Sequence, residues 1–507
     1  MNKTAYIVGS GSAGVAAAKA LLEREYQVIM LDYANTLSSD KEQQIAHIAN
    51  TSVDSWTEKL LSPLKYPMNK NFPDKLIYAD DYPYRDGINK LSIKLDNCGL
   101  LPSLAQGGLS NVWGAATLPF HNRDLMAWPL ASEDLAKYYT KVAEFVPIAA
   151  NLDNLIHEYP IYGNLQPYNL APQIAAFKDL LTDNLSYCTQ QNFIFGDARF
   201  ACNKNQCNNC GLCMRGCPYK LIYRSSDTLN DLLQVQNFQY IPDILVETFN
   251  TTCDKIEIIA KTRNGKAINY VADKLFIAAG VLSTAKIVLN SLNYNKPIKL
   301  YETSYFIAPF FTYSSKIKAD LKKGHTTLTQ LFIELNDPKI SANTIHLQIY
   351  PYNEMLLERI KQMFGKLYFL FAPFVKWLLA KTVIIQGFLH SNDGIPINIQ
   401  LLDKKLHVKG CSVLFQDKIN LILKKFKKFG IAYGIQKSIP GRSFRCGGSF
   451  PMVEDVNQYN GIAVNKDGLL KGTNNVYIVD ASVFPSIPAQ TITYTVMANA
   501  YRIGSLA

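Results

Sequence analysis

Four cysteines fall within eleven residues at Cys207-x-x-Cys210-x-x-Cys213-x-x-x-Cys217-Pro218, and Cys202 lies just upstream. Two-residue spacers let successive thiolates converge on one centre, and this is the spacing of bacterial ferredoxin ligands. The fourth ligand of a 4Fe–4S cluster would be Cys217 or Cys202, and spacing does not choose between them. Tetrahedral zinc takes the same donors, and thiols packed without metal are the third reading. A different chemistry stands at the N-terminus, where Gly9, Gly11 and Gly14 spell G-x-G-x-x-G. Glycines at those positions permit a tight turn, backbone access for a pyrophosphate and close helix–strand packing.

The elements that must position these glycines are legible around them. "AYIV" is a short apolar strand, and "VAAAKALLE" reads as a helix with a small-residue face. Its N-terminus offers free amides and a positive dipole end to phosphates. "QVIML" is a second strand ending in Asp32, whose carboxylate suits ribose hydroxyls. Strand, glycines, helix, strand and acid in that order specify a dinucleotide site.

At 507 residues the chain is too long for one ordinary core and divides into two domains. An apolar share of 48% with 18% charged residues describes a globular protein. The net charge of +11 suits anionic partners such as phosphorylated substrates or acidic membranes. Nucleic acid is not expected, because the basic residues are scattered and no recognition motif appears. "MNKTAYIVG" enters a strand with no export signal, so the expected location is the cytoplasm, including the inner face of its membrane. The ten cysteines are then thiols or ligands rather than disulfides.

Further segments carry a likeness to a known family. "SLAQGGLSNVWGAATLPF" (103–120) is a Gly-rich loop, and "KLFIAAGVLSTAKIVLNS" is a strand ending at Ala279–Gly280 followed by a helix. "WPLASEDLAKYY" (128–139) and the terminal "VDASVFPSIPAQTITYTVMANAYRIG" complete the set. In this order they resemble the glucose–methanol–choline (GMC) family of FAD-dependent oxidoreductases. The resemblance implies non-covalent FAD, because Val112 stands where some relatives tether the flavin through a His. It also implies that Gly107, Gly108, Ser110 and Asn111 line the isoalloxazine loop. Ala279, Gly280, Asp480 and Ala481 would lie near the rest of the cofactor.

The same likeness exposes a departure. The family's catalytic His opens an H-x-x-G-[TS] element, and "RCGGSFPM" puts Arg445 there; its partner position falls on Thr491, preceded by Gln490. A guanidinium is no general base, but it holds an alkoxide, enolate or carboxylate by charge-assisted hydrogen bonds. The open readings are an anionic substrate clamped by Arg445, a base supplied by Cys446 or a mid-chain His, a different flavin reaction, or a structural Arg445 paired with a buried carboxylate.

The implied fold is α/β, α+β overall. A Rossmann-like FAD-binding domain takes 1–125, 201–292 (which opens with the cysteine run) and 445–507. A discontinuous substrate domain on a mixed or antiparallel sheet takes 126–200 and 293–444. "TLTQLFIELN", "NTIHLQIYPYN", "TVIIQGFLHS" and "INIQLLDKKLHVKG" read as its strands. Residues 355–381 form a helical insertion, apolar and aromatic, punctuated by Lys361, Lys366, Lys376 and Lys381. That pattern suits either a membrane interface or a buried helix. The expected activity is oxidation of a CH–OH group on a sugar, polyol or lipid-linked glycan, with electrons leaving through a cluster or a partner. Reduction of an unsaturated or carbonyl substrate and a catalytically reduced electron-transfer protein are the alternatives.

Overall fold

The computed structural model describes residues 3–65, 76–252, 255–321, 324–412 and 415–507. Thr4–Val8, an almost wholly buried strand, sits at the centre of a five-stranded parallel sheet. On one side lie Lys274–Ile277 and Val476–Ile478; on the other lie Gln27–Leu31 and Phe238–Ile241. Parallel neighbours need crossover connections, and helix Ser12–Glu23 supplies the first, which gives the Rossmann-like order. Its buried residues are mostly alanines, with Gly14, Val15 and Leu21. A three-stranded antiparallel meander, Ile244–Thr251, Ile256–Thr262 and Ala267–Ala272, leads back into the parallel sheet.

The second large sheet is antiparallel. Its order runs Gly430–Ala432, Ser304–Thr312, Thr382–Leu389, Ile345–Tyr350, Leu331–Leu335 and Phe193–Asp197, with Gln436–Lys437 also on Ser304–Thr312. Side chains alternate across it with period two. One face buries Phe306, Phe310, Ile333, Leu347 and Ile385 in a separate core. The opposite face presents Glu334, His346, Gln348, Tyr350, Gln386 and Phe388. Three of the four stretches read as substrate-domain strands belong here. The fourth is a hairpin, Ile397–Leu402 and Lys405–Lys409, in another sheet, which is mixed because Lys405–Lys409 pairs in parallel with Ile93–Asp96. Asp403 and Lys404 at its tip both have positive φ, as a two-residue hairpin turn requires.

The last helix, Thr493–Leu506, is buried along nearly its whole length and packs on Ser12–Glu23. Small residues make the close approach possible. A Cβ placed on Gly504 would stand 3.0 Å from both the Ala17 carbonyl oxygen and the Ala20 methyl. Replacing Gly504 with Val should therefore overpack this seam and destabilise the protein by about 1–3 kcal/mol. Thermal unfolding checks this, and an unchanged midpoint would mean that the two helices do not meet there.

Candidate active site

The glycines expected to cradle a dinucleotide differ in what surrounds them. Gly9 has φ +98°, and a Cβ there would stand 2.7 Å from the Ala278 carbonyl oxygen. At Gly14 a Cβ would overlap the Gly9 carbonyl. Gly11 is different: a Cβ there meets nothing within 4 Å, and its backbone opens onto a cavity of about 710 Å³. Two glycines are thus needed for packing, and the third leaves room for a ligand at the helix N-terminus. The cavity lies at the carboxyl ends of the parallel strands, where open α/β sheets bind ligands.

Asp32 closes the cradle. It is buried, and its carboxylate accepts hydrogen bonds from the Ser10 hydroxyl and, at 3.0 Å, from the Tyr240 hydroxyl. Burial nevertheless pushes its pKa up to about 6. The Ser10 oxygen also accepts from the Gly107 amide at 2.8 Å, which ties the Gly-rich loop to the first turn. Gly107 and Gly108 both have positive φ. The side chains of Ser110 and Asn111 stabilise the loop itself. The Ser110 hydroxyl donates to the Gly107 carbonyl at 2.5 Å and accepts from the Ser225 amide at 2.9 Å, while Asn111 donates to the Gln106 and Gly108 carbonyls. Ala279, Gly280, Asp480 and Ala481 line the same cavity. Asp480 accepts from the Gly280 amide, the Thr284 hydroxyl and the Ser482 amide, at 2.9, 2.5 and 2.9 Å.

Arg445 and Thr491 face the cavity together with Tyr350, Gln348 and Phe388. The Arg445 guanidinium donates to the Ala489 carbonyl at 2.5 Å and stacks 3.4 Å from the centroid of Phe388. Among the described residues it forms no ion pair with a carboxylate. Desolvation draws its pKa down to about 9, against the opposing pull of Tyr350 and Glu334. The Thr491 hydroxyl is buried without a partner. Gln490, in contrast, does not reach the cavity. Its amide nitrogen donates to the Tyr159 hydroxyl at 3.1 Å and to Glu334 at 3.3 Å.

No histidine among the described residues lines the cavity. His346 sits behind it, fully buried, with Nδ1 2.6 Å from Glu334 and Nε2 3.1 Å from the Gln348 amide. Gln348 in turn accepts from the Tyr350 hydroxyl at 2.7 Å. Burial pushes the Tyr350 phenol up to about 12, so it is a neutral donor at ordinary pH. Cys446 lines the cavity, but burial holds its thiol well above the usual range and it cannot act as a base. Sequence reasoning missed Gln348, Tyr350 and Phe388. Alternation of polar residues in "IHLQIY" is the signal that would have found the first two.

The cysteine run folds over the cavity, and Cys213, Met214, Gly216 and Cys217 contribute to its wall. Its thiols are engaged elsewhere or pushed up by burial. Cys207 accepts from Lys204 Nζ at 3.1 Å and the Asn209 amide at 3.4 Å. Desolvation raises Cys202, Cys213 and Cys217, and takes Cys210 up to about 12. Among the described residues no group of three or more His, Cys, Asp or Glu is arranged to hold a metal ion. A 4Fe–4S cluster or zinc at these thiols is therefore not supported, although Cys202, Cys207, Cys210, Cys213 and Cys217 lie close enough to influence one another electrostatically. The run is held in place by backbone: Tyr78 N donates to the Arg215 carbonyl and its hydroxyl to the Cys217 carbonyl at 2.7 Å.

Residues 434–500 match the GMC oxidoreductase C-terminal family model, a stretch that includes Arg445, Asp480 and Thr491. Over that segment the chain is similar to GMC oxidoreductases. Its whole length shares a fold with solved oxidases. A pyridoxine 4-oxidase from Mesorbium loti superposes with a TM-score of 0.61 at 11% identity, covering 100% of this chain and 99% of that one. A formate oxidase gives 0.63 at 13% identity, covering 100% and 98%. An Aspergillus oryzae formate oxidase described for its FAD modification gives 0.62 at 13% identity, also covering 100% and 98%. No curated protein matches the sequence.

The open space at Gly11 yields a test of the cradle. Gly11→Val should keep the fold and the thermal midpoint. It should bind FAD at least roughly tenfold more weakly, equivalent to about 1.4 kcal/mol, in a fluorescence titration. Undiminished binding would move the dinucleotide elsewhere.

Proposed function

We propose that this GMC-type protein is an FAD-dependent oxidoreductase that oxidises a CH–OH group of a sugar, polyol or lipid-linked glycan. The residues present fit the cofactor. Gly11 and Gly280 leave open space on the cavity, the amides at the start of helix Ser12–Glu23 face it, and Asp32 is placed for the ribose hydroxyls. Val112, a hydrocarbon side chain on the cavity, offers no nucleophile for a covalent tether. Bound there, FAD supplies the acceptor for a hydride.

The observation that carries the reading is Arg445 at the cavity, without a carboxylate ion pair among the described residues. A cation removed from water without a counter-ion is costly, and it attracts negative charge that develops beside it. An alcohol giving up its proton places such charge on oxygen. Arg445 would hold the alkoxide by charge-assisted hydrogen bonds and lower the cost of losing the hydroxyl proton to cavity water, while the hydride leaves to the bound flavin. The Thr491 hydroxyl supplies a second hydrogen-bonding group, and the Tyr350 phenol a neutral donor. Gln348, Gln386 and Gln436 add amides along the same wall, a lining suited to a substrate rich in hydroxyls.

Anaerobic mixing with aldoses and polyols should bleach the visible absorbance of the bound flavin. Arg445→Met should retain flavin yet slow that reduction by roughly 10²–10³-fold, the usual effect of losing one oxyanion donor. An unchanged rate in the variant would remove Arg445 from the reaction. Failure of every alcohol to bleach the wild-type flavin would overturn the assignment.

A further inference from the structure

Strands Ile345–Tyr350 and Thr382–Leu389 are hydrogen-bonded neighbours, and Tyr350 pairs with Ile384. The chain between them leaves the sheet and returns to almost the same point. It does so in two helical segments, Glu354–Phe364 and Tyr368–Ala380, joined at Gly365, which has φ +51°. At 1.5 Å per residue each arm is roughly 16–20 Å long. The segment as a whole is long and apolar enough to cross a membrane, with hydropathy 1.3 over its most apolar stretch and only 17% of that stretch buried. Because both ends are fixed side by side in one sheet, it forms a hairpin whose arms are shorter than the roughly 30 Å hydrocarbon core. It can dip into one leaflet but cannot span.

Apolar surface is exposed at the tip and along the second arm. Met363, Leu367, Phe369, Leu370, Phe374 and Trp377 are each more than half exposed. Only a small cluster at the base, with Val375 and Leu379, is packed. Such a concentration of uncovered aromatic and aliphatic side chains marks an interaction surface. The charges decide what covers it. Glu354 is taken up by Lys65 at 2.8 Å and Glu358 by Arg215, both at the root of the hairpin. Lys361, Lys366 and Lys376 form no ion pair among the described residues. The chain carries a net +11. Apolar tip, unpaired lysines and neutralised acids complement an anionic lipid surface, and they would repel a second copy of the same tip.

We infer that the hairpin of residues 354–380 docks this protein on anionic lipid bilayers, with its aromatic tip below the headgroups and its lysines among them. The docking has a consequence for the proposed function, and that consequence rests on it. Arg359 of the first arm donates to Gln436 at 3.2 Å, and Gln436 through Ile439 line the cavity. The cavity wall therefore begins at the root of the membrane-facing element, which favours the lipid-linked class of alcohol.

Co-sedimentation of the full-length FAD-loaded protein with vesicles tests the docking without reference to activity. Binding to phosphatidylcholine vesicles containing phosphatidylglycerol should exceed binding to phosphatidylcholine alone by roughly tenfold or more. A Phe369→Ser, Phe374→Ser, Trp377→Ser variant should stay with the supernatant while keeping its flavin spectrum and thermal midpoint. Lys366→Glu with Lys376→Glu should abolish the preference for anionic vesicles and leave the fold intact. Equal binding by wild type and the serine variant, or no binding by wild type, overturns the proposal. So does a wild-type dimer in sedimentation equilibrium that the serine substitutions dissociate, since a second copy would then cover the tip. Vesicle binding by a protein that oxidises no alcohol would sustain the docking and remove only the substrate assignment.

Discussion

Both oxygens of the buried Asp480 carboxylate are committed to donors from two distant parts of the chain. The Gly280 amide and the Thr284 hydroxyl come from the central segment, and the Ser482 amide comes from the terminal one. Burial raises its pKa, so the ionised form persists only because those donors replace water. Removing any of them would leave a charged group poorly solvated in the interior, a cost of several kcal/mol in the general case. The tie fixes the turn after strand Lys274–Ile277 against the turn after Val476–Ile478. Those turns form one wall of the dinucleotide cradle. Ser10 performs the matching task on the other wall, by linking the Gly107 amide to Asp32. With both walls fixed, the space above Gly11 is preformed.

At the opposite end of the cavity the polar groups follow a different logic. Glu334 is the acidic residue whose charge acts on Arg445, yet its oxygens are engaged by His346 and Gln490. Two unit charges 4 Å apart at an effective dielectric constant near 20 interact by about 4 kcal/mol, and a greater distance weakens this further. Glu334 therefore opposes the desolvation of Arg445 from a distance, beside Tyr350, without forming an ion pair with it. A direct ion pair would have cancelled the field that an oxyanion needs. Stacking on Phe388 orients the guanidinium plane at little electrostatic expense. In the proposed reaction, Arg445 would act as a held cation at the position where the family pattern has a histidine.

The cradle was legible because its constraints are local: glycines, strand and acid lie within one βαβ unit, and backbone geometry dictates residue type. Arg445 and Thr491 were legible only through family resemblance. Gln490 shows the limit of that route. It is adjacent to Thr491 in sequence, but the turn before helix Thr493–Leu506 directs neighbouring side chains to opposite sides, and Gln490 faces Tyr159. The cysteine run shows a related limit. Spacing fixes how far thiols can separate, whereas convergence depends on the loop's path. Positive φ at Asn209, Gly211 and Gly216 bends that path, and Lys204 with Asn209 occupies Cys207. Phe388 was out of reach because its place on the cavity depends on the register of an antiparallel sheet assembled from distant strands.

That register also connects the two ends of the functional surface. Gln348 pairs with Gln386 and His346 with Phe388, so the cavity-facing residues of the two strands are locked side by side. The same strands run directly into the arms of the helical hairpin. A hydrogen-bonded ladder does not slide by one residue without turning every cavity-facing side chain to the other face. The orientation of the hairpin relative to Arg445 is therefore as rigid as the sheet itself, and Arg215–Glu358 and Lys65–Glu354 brace its first arm against the cysteine run and the N-terminal segment. The Arg359–Gln436 hydrogen bond joins the first arm of the hairpin to the cavity wall that also carries Arg445.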